Sequence, residues 1–140
     1  MSSVVFRYSL VGLLAAVLLV GCGQSGPRTY QIPGKLVYKD GSPVPGASIV
    51  LQTKVDEQVI AARGMVGPDG KFELTTFQNG DGVVAGEHDV SVSPIPAPDG
   101  PKPVQPAVPS KYGDFTTSKL RTSVTPETKL IEIKISRTGN

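Results

Sequence analysis

The chain has no tryptophan, one cysteine and one histidine in 140 residues. Each scarcity closes a class of function. Without tryptophan, a carbohydrate-binding face lacks the favoured sugar-stacking residue. With Cys22 alone, no disulfide can form within the chain, so the domain must rely on its hydrophobic core. With His88 alone, a metal site would need ligands remote in sequence, and a structural zinc site takes four. A serine nucleophile needs a base within hydrogen-bond reach. Only His88 could serve, and no Gly-x-Ser-x-Gly is present. Paired-cysteine, phosphate-cradling and dinucleotide motifs are missing as well. Charge is nearly balanced, 14 basic against 12 acidic residues. That leaves no nucleic-acid footprint, and no basic run points to an anionic partner. These gaps predict a protein that is not an enzyme and carries no cofactor or metal.

What is present begins with an apolar run from Leu10 to Gly21, closed by Cys22 and preceded by Arg7, the only charge upstream. A spanning helix needs roughly 20 mostly apolar residues. This run is shorter and fits the hydrophobic region of a secretory signal peptide. Leu19-Val20-Gly21-Cys22 resembles a bacterial lipobox. The resemblance implies cleavage before Cys22 and acylation of its thiol and new amine. Each buried methylene contributes about 0.8 kcal/mol and one chain alone holds only marginally; the several chains of the lipobox family give a stable anchor. Gly23 stands where an aspartate would retain a lipoprotein at the inner membrane, which favours the outer membrane. The expectation is a cell-envelope protein held in the membrane by lipid on Cys22, its domain in the periplasm or on the cell surface. Removing residues 1–21 leaves 119 residues, enough for one domain.

Residues 22–30 read as a polar tether. Its eight residues from Gly23 to Tyr30, extended, reach at most roughly 28 Å. From residue 31 to 140 the chain becomes short β-prone runs between glycine, proline and aspartate, with no sustained helical period. Strands are predicted at 35–38, 47–52, 59–66, 71–75, 88–93, 120–124 and 129–135. Phe72, Leu74, Val90, Val92, Ile131, Ile133 and Ile135 should face inward by alternation, with Glu132 and Lys134 outward. Asp40-Gly41 and Gly67-Pro68-Asp69-Gly70 are turns. About seven strands with this spacing predict an all-β sandwich or barrel. Prolines 94, 96, 98, 101, 103, 106 and 109 mark residues 94–110 as an extended loop with no central strand. Such a loop is either a passive excursion or a partner-binding lip.

Three blocks occur in order: Gly34-Lys35-Leu36-Val37; Asp40-Gly41-Ser42-Pro43-Val44-Pro45-Gly46-Ala47-Ser48-Ile49-Val50-Leu51; and Gly67-Pro68-Asp69-Gly70-Lys71-Phe72-Glu73-Leu74. Together they resemble the carboxypeptidase regulatory-like domain, which implies a transthyretin-like seven-stranded Greek-key β-sandwich. Gly86-Glu87-His88-Asp89-Val90 stands in for the family's next strand. With the lipobox, the chain is similar to small lipoproteins of planctomycete-type bacteria, which share the Gly80–Val90 segment and a Lys111-Tyr112…Leu120 stretch after a proline-rich loop. The family is an accessory module without activity of its own. Transthyretin-like hydrolases use several histidines and a terminal Tyr-Arg-Gly-Ser, whereas this chain ends Ser136-Arg137-Thr138-Gly139-Asn140.

The resulting function is a non-catalytic structural or interaction module, bound to an envelope protein or a polysaccharide. A carbohydrate-binding module is the alternative, and a hydrolase or metal enzyme the remotest. Tyr112 and Phe115 flank the proline-rich loop and either bind a partner or pin the loop to the sandwich. His88 is expected on the surface or at a sheet edge. Asp69 and Asp81 are expected to close turns, since calcium wants six to eight oxygens.

Overall fold

The computed structural model describes residues 26–96 and 108–138. Cys22 and most of the proline-rich stretch, residues 97–107, lie outside them. The described chain is all-β, apart from two short helical turns. Alternation builds the longer strands. In β3 (Ala47–Val55), Ala47, Ile49 and Leu51 are buried; in β9 (Ile131–Ile135) the three isoleucines are buried while Glu132 and Lys134 are exposed.

Seven strands fall where the sequence announced them. They are β2 (Gly34–Tyr38), β3, β4 (Gln58–Met65), β5 (Lys71–Phe72), β7 (Gly86–Pro94), β8 (Leu120–Val124) and β9. A four-stranded antiparallel sheet runs β4-β3-β7-β8. A three-stranded sheet runs β5-β2-β9, with β2 and β9 parallel over five paired residues. One hydrophobic cluster takes Leu36, Ile131, Ile133 and Ile135 from the smaller sheet and Ile49, Leu51, Val90 and Val92 from the larger. Two layers therefore share one core.

The sequence did not announce β1 (Thr29–Tyr30) and β6 (Val83–Val84), which pair antiparallel as a third small sheet. The tether expected over residues 22–30 therefore stops short of Thr29, because Tyr30 packs against the core. Gly82 makes this closure possible. Its φ is +97°, and a Cβ there would stand 2.0 Å from the Tyr30 carbonyl oxygen.

The predicted strand over 71–75 splits in two. Lys71 and Phe72 pair with Lys35 and Gly34 of β2, and Thr75 then bridges to Arg63 of β4 in the other sheet. The Arg63 and Thr75 amides each donate to the other's carbonyl at 2.8 Å. The chain crosses between layers here, closing part of one side of the sandwich. Gly64 permits the close approach, since a Cβ on it would meet the Glu73 carbonyl oxygen at 2.6 Å.

The opposite side is closed by the segment after the proline-rich loop. It forms a 3-10 turn (Ser110–Gly113) and one helical turn, α1 (Phe115–Ser118), both packed against β7. Strand β8 pairs with β7 only as far as Val90. Beyond that point the Ser118 hydroxyl donates to the Val90 carbonyl at 2.6 Å, and Tyr112 enters the core.

Candidate functional site

The two residues that sequence reasoning offered to a partner are positioned by this closing segment. Asp114 caps α1 by accepting the Thr116 amide at 2.7 Å. The Thr116 hydroxyl and amide hold its carboxyl below the ordinary aspartate range. Tyr112 is buried, and its hydroxyl accepts the Ser136 amide at 3.0 Å. The Lys111 ammonium lies 5.0 Å from its ring centroid. Tyr112 thus presents no free ring face. Phe115 is half-buried. The proline-rich stretch leaves and rejoins the sandwich at fixed points: the Ile95 amide donates to the Gly46 carbonyl at 3.1 Å, and Val108 packs on the core.

His88 corrects an expectation. It is not at the surface but 1% exposed, on the core face of β7 with Val90 and Val92. Its Nε2 lies 2.9 Å from the Val84 carbonyl oxygen, which makes that nitrogen the donor, while Nδ1 has no hydrogen-bond partner. Burial pushes the imidazole below its ordinary pKa, only partly offset by the Val84 carbonyl and by Glu87 and Asp89. A neutral ring inside a core is a packing residue, not a general base open to substrate. The signal was legible: His88 shares the strand parity of two inward valines.

Asp81 closes a loop. Its carboxylate accepts the amides of Thr76 at 2.8 Å, Phe77 at 2.9 Å and Gln78 at 3.0 Å. Desolvation pushes its pKa up, but the amides outweigh it and hold the carboxyl below the ordinary range. Asp69 accepts the Lys71 amide at 3.1 Å within its turn. Asp81 faces backbone amides, and Asp69 also lies 3.7 Å from the Lys71 ammonium across its own turn. Among the described residues no group of three or more His, Cys, Asp or Glu side chains is placed to hold a metal.

A groove of about 680 Å³ lies where the chain crosses between the sheets. Its wall includes Arg63, Met65, Phe72, Glu73 and Asn79. Phe72 lies over Gly34, where a Cβ would stand 2.0 Å from the ring. The groove offers two cations, Arg63 and Lys71, one carboxylate, an amide, the hydroxyls of Ser48 and Thr75, and apolar surface. That set can bind, but it holds no nucleophile–base pair. Sequence reasoning missed the groove because Arg63 and Glu73 sit on segments that meet only where the chain changes sheets.

A second groove lies at the beginning of the described chain. Gly26 and Pro27 line it together with Val59 of β4 and Phe77 of the Asp81 loop. Phe77 is 55% exposed and Val59 61%. Cys22, the sequence-predicted lipidation residue, would lie four residues upstream, outside the described residues. No protein-family model, curated protein or solved structure matches the chain.

Proposed function

We propose that the protein is a lipid-anchored module of the bacterial cell envelope, acylated at Cys22, with a non-catalytic structural or interaction role. The observation that carries this reading is the apolar run ending in Leu19-Val20-Gly21-Cys22, followed within a few residues by a β domain. The seven announced strands are read as a transthyretin-like Greek-key sandwich of the carboxypeptidase regulatory-like kind. The sheet orders β5-β2-β9 and β4-β3-β7-β8 support that assignment. The non-catalytic role is supported by where the chemically capable side chains lie. His88 is sealed in the core, Asp81 is committed to loop amides, and Asp69 is held in its turn by the Lys71 amide and ammonium. The partner is an envelope protein or polysaccharide, met by the groove at the sheet crossing or by the proline-rich stretch. The carbohydrate-binding alternative needs an exposed aromatic platform, and buried Tyr112 does not supply one.

Replacing Cys22 with alanine tests the anchor. Expressed in a bacterial host, the natural chain should sediment with membranes and take up a fatty-acid probe. Cys22→Ala should move to the soluble fraction and lose the label. Retention of both by the variant would sink the reading.

A further inference from the structure

We propose that the Val59–Phe77 groove is a membrane-docking surface, which lays the domain against the bilayer that anchors it. This rests on the lipid-anchor reading. Three observations carry it. First, Gly26 and Pro27 line the groove itself, so the chain enters the domain at this spot. Cys22 is four residues upstream, and four residues span at most about 14 Å. An acylated Cys22 cannot hold the groove far from the headgroups.

Second, the groove is apolar where it is most exposed. Val59 and Phe77 are two of the four large hydrophobic side chains exposed among the described residues. They come from separate elements, β4 and the Asp81 loop, and meet only in the fold. The loop is held firmly: Asp81 grips the Phe77 amide, so the ring is presented on a fixed backbone. An exposed apolar patch of this kind marks an interaction surface.

Third, the charges around it suit headgroups. Arg28 follows Pro27 directly, and Arg63 bridges to Thr75, two residues before Phe77. Both are exposed, and neither has an ion-pair partner among the described residues. The Asp81 carboxylate faces the loop amides. Arg28 at the entrance and Arg63 in the adjoining groove offer cations to phosphate, opposed by the exposed Asp56 and Glu57 of the neighbouring turn, while the apolar tips sink to the acyl boundary.

The chain has no tryptophan, so a single introduced indole reports its own position. Phe77→Trp and, for comparison, Leu130→Trp are made in the full-length acylated chain. Leu130 is 50% exposed but lies in neither wall of the groove. Each is reconstituted into vesicles of phosphatidylethanolamine and phosphatidylglycerol containing brominated lipid. The Phe77→Trp protein should lose emission to the bromines and shift to shorter wavelength, whereas the Leu130→Trp protein should do neither. An acylated, vesicle-bound Phe77→Trp protein whose indole is unquenched overturns the docking surface while leaving the anchor standing. Shielding of that indole from acrylamide without bromine quenching would mean that a protein or a second copy fills the groove, and also overturns it. A chain that carries no lipid removes the anchor and this proposal together. Val59→Trp gives an independent second reading of the same surface.

Discussion

His88 has a measurable consequence at the scale of a single residue. Its pKa in the folded state is lowered by burial, so below about 6.5, the ordinary value, the unfolded chain binds a proton that the folded chain resists. Stability should therefore rise with pH through the window just below 6.5 and level off above it. On acidification the loss continues until the folded-state pKa is reached. Urea denaturation between mildly acidic and neutral pH reads this slope. His88→Leu should flatten it, at the cost of leaving the Val84 carbonyl without its donor. An unchanged slope in that variant would contradict the assignment. At lower pH a second loss should set in as Asp81 is protonated, since its depressed pKa contributes stability only while it is charged. Asp81→Ala should cost about 1–3 kcal/mol by leaving three loop amides without their acceptor.

The β3–β4 hairpin is a case at the scale of the element. Val55 pairs with Gln58, so the loop is only Asp56 and Glu57, and both have positive φ, 46° and 66°. Asn-Gly suits such two-residue turns because glycine has no Cβ to resist the left-handed region. Exchanging Asp56-Glu57 for Asn-Gly should stabilise the domain by about 1 kcal/mol, less the extra entropy glycine carries when unfolded. The exchange also removes the exposed Lys54–Glu57 ion pair, which contributes little. A lower melting temperature would count against this account of the turn. The same element shows what was legible. Long strands declared themselves through alternation, as at Ile131, Ile133 and Ile135. The two-residue β1 and β6 carry no period, and their pairing is decided by Tyr30 finding the core. At His88 strand parity decides over polarity, since it shares the inward face of Val90 and Val92. The Val59–Phe77 groove was unreadable because its walls meet only after two turns have closed.

For the whole molecule, the question is how two sheets without a disulfide among the described residues stay together. One side is closed by the strand crossing at Thr75, the other by Tyr112. Tyr112→Phe removes only the acceptor of the Ser136 amide and should cost about 1 kcal/mol. Tyr112→Ala removes the ring from the core and should cost about 3–5 kcal/mol. Chemical denaturation of both variants separates the hydrogen bond from the packing. Equal losses would mean that the ring contributes nothing beyond its hydroxyl. Arg137 adds a smaller clasp at the sheet end, its guanidinium 3.7 Å from the Tyr38 ring centroid and 3.3 Å from Asp40.

The parallel pairing of β2 with β9 has a consequence in time. Gly34 meets Ile131, so one of the first strands to be synthesised waits for the last before its ladder can form. Contacts between such distant segments make folding slow. A chain delivered from its amino end could pair β2 with the two residues of β5 early, but the parallel half of the smaller sheet could form only once β9 had followed. The topology thus delays completion of the core until β9 is available, leaving Ile131, Ile133 and Ile135 as the last residues to join it.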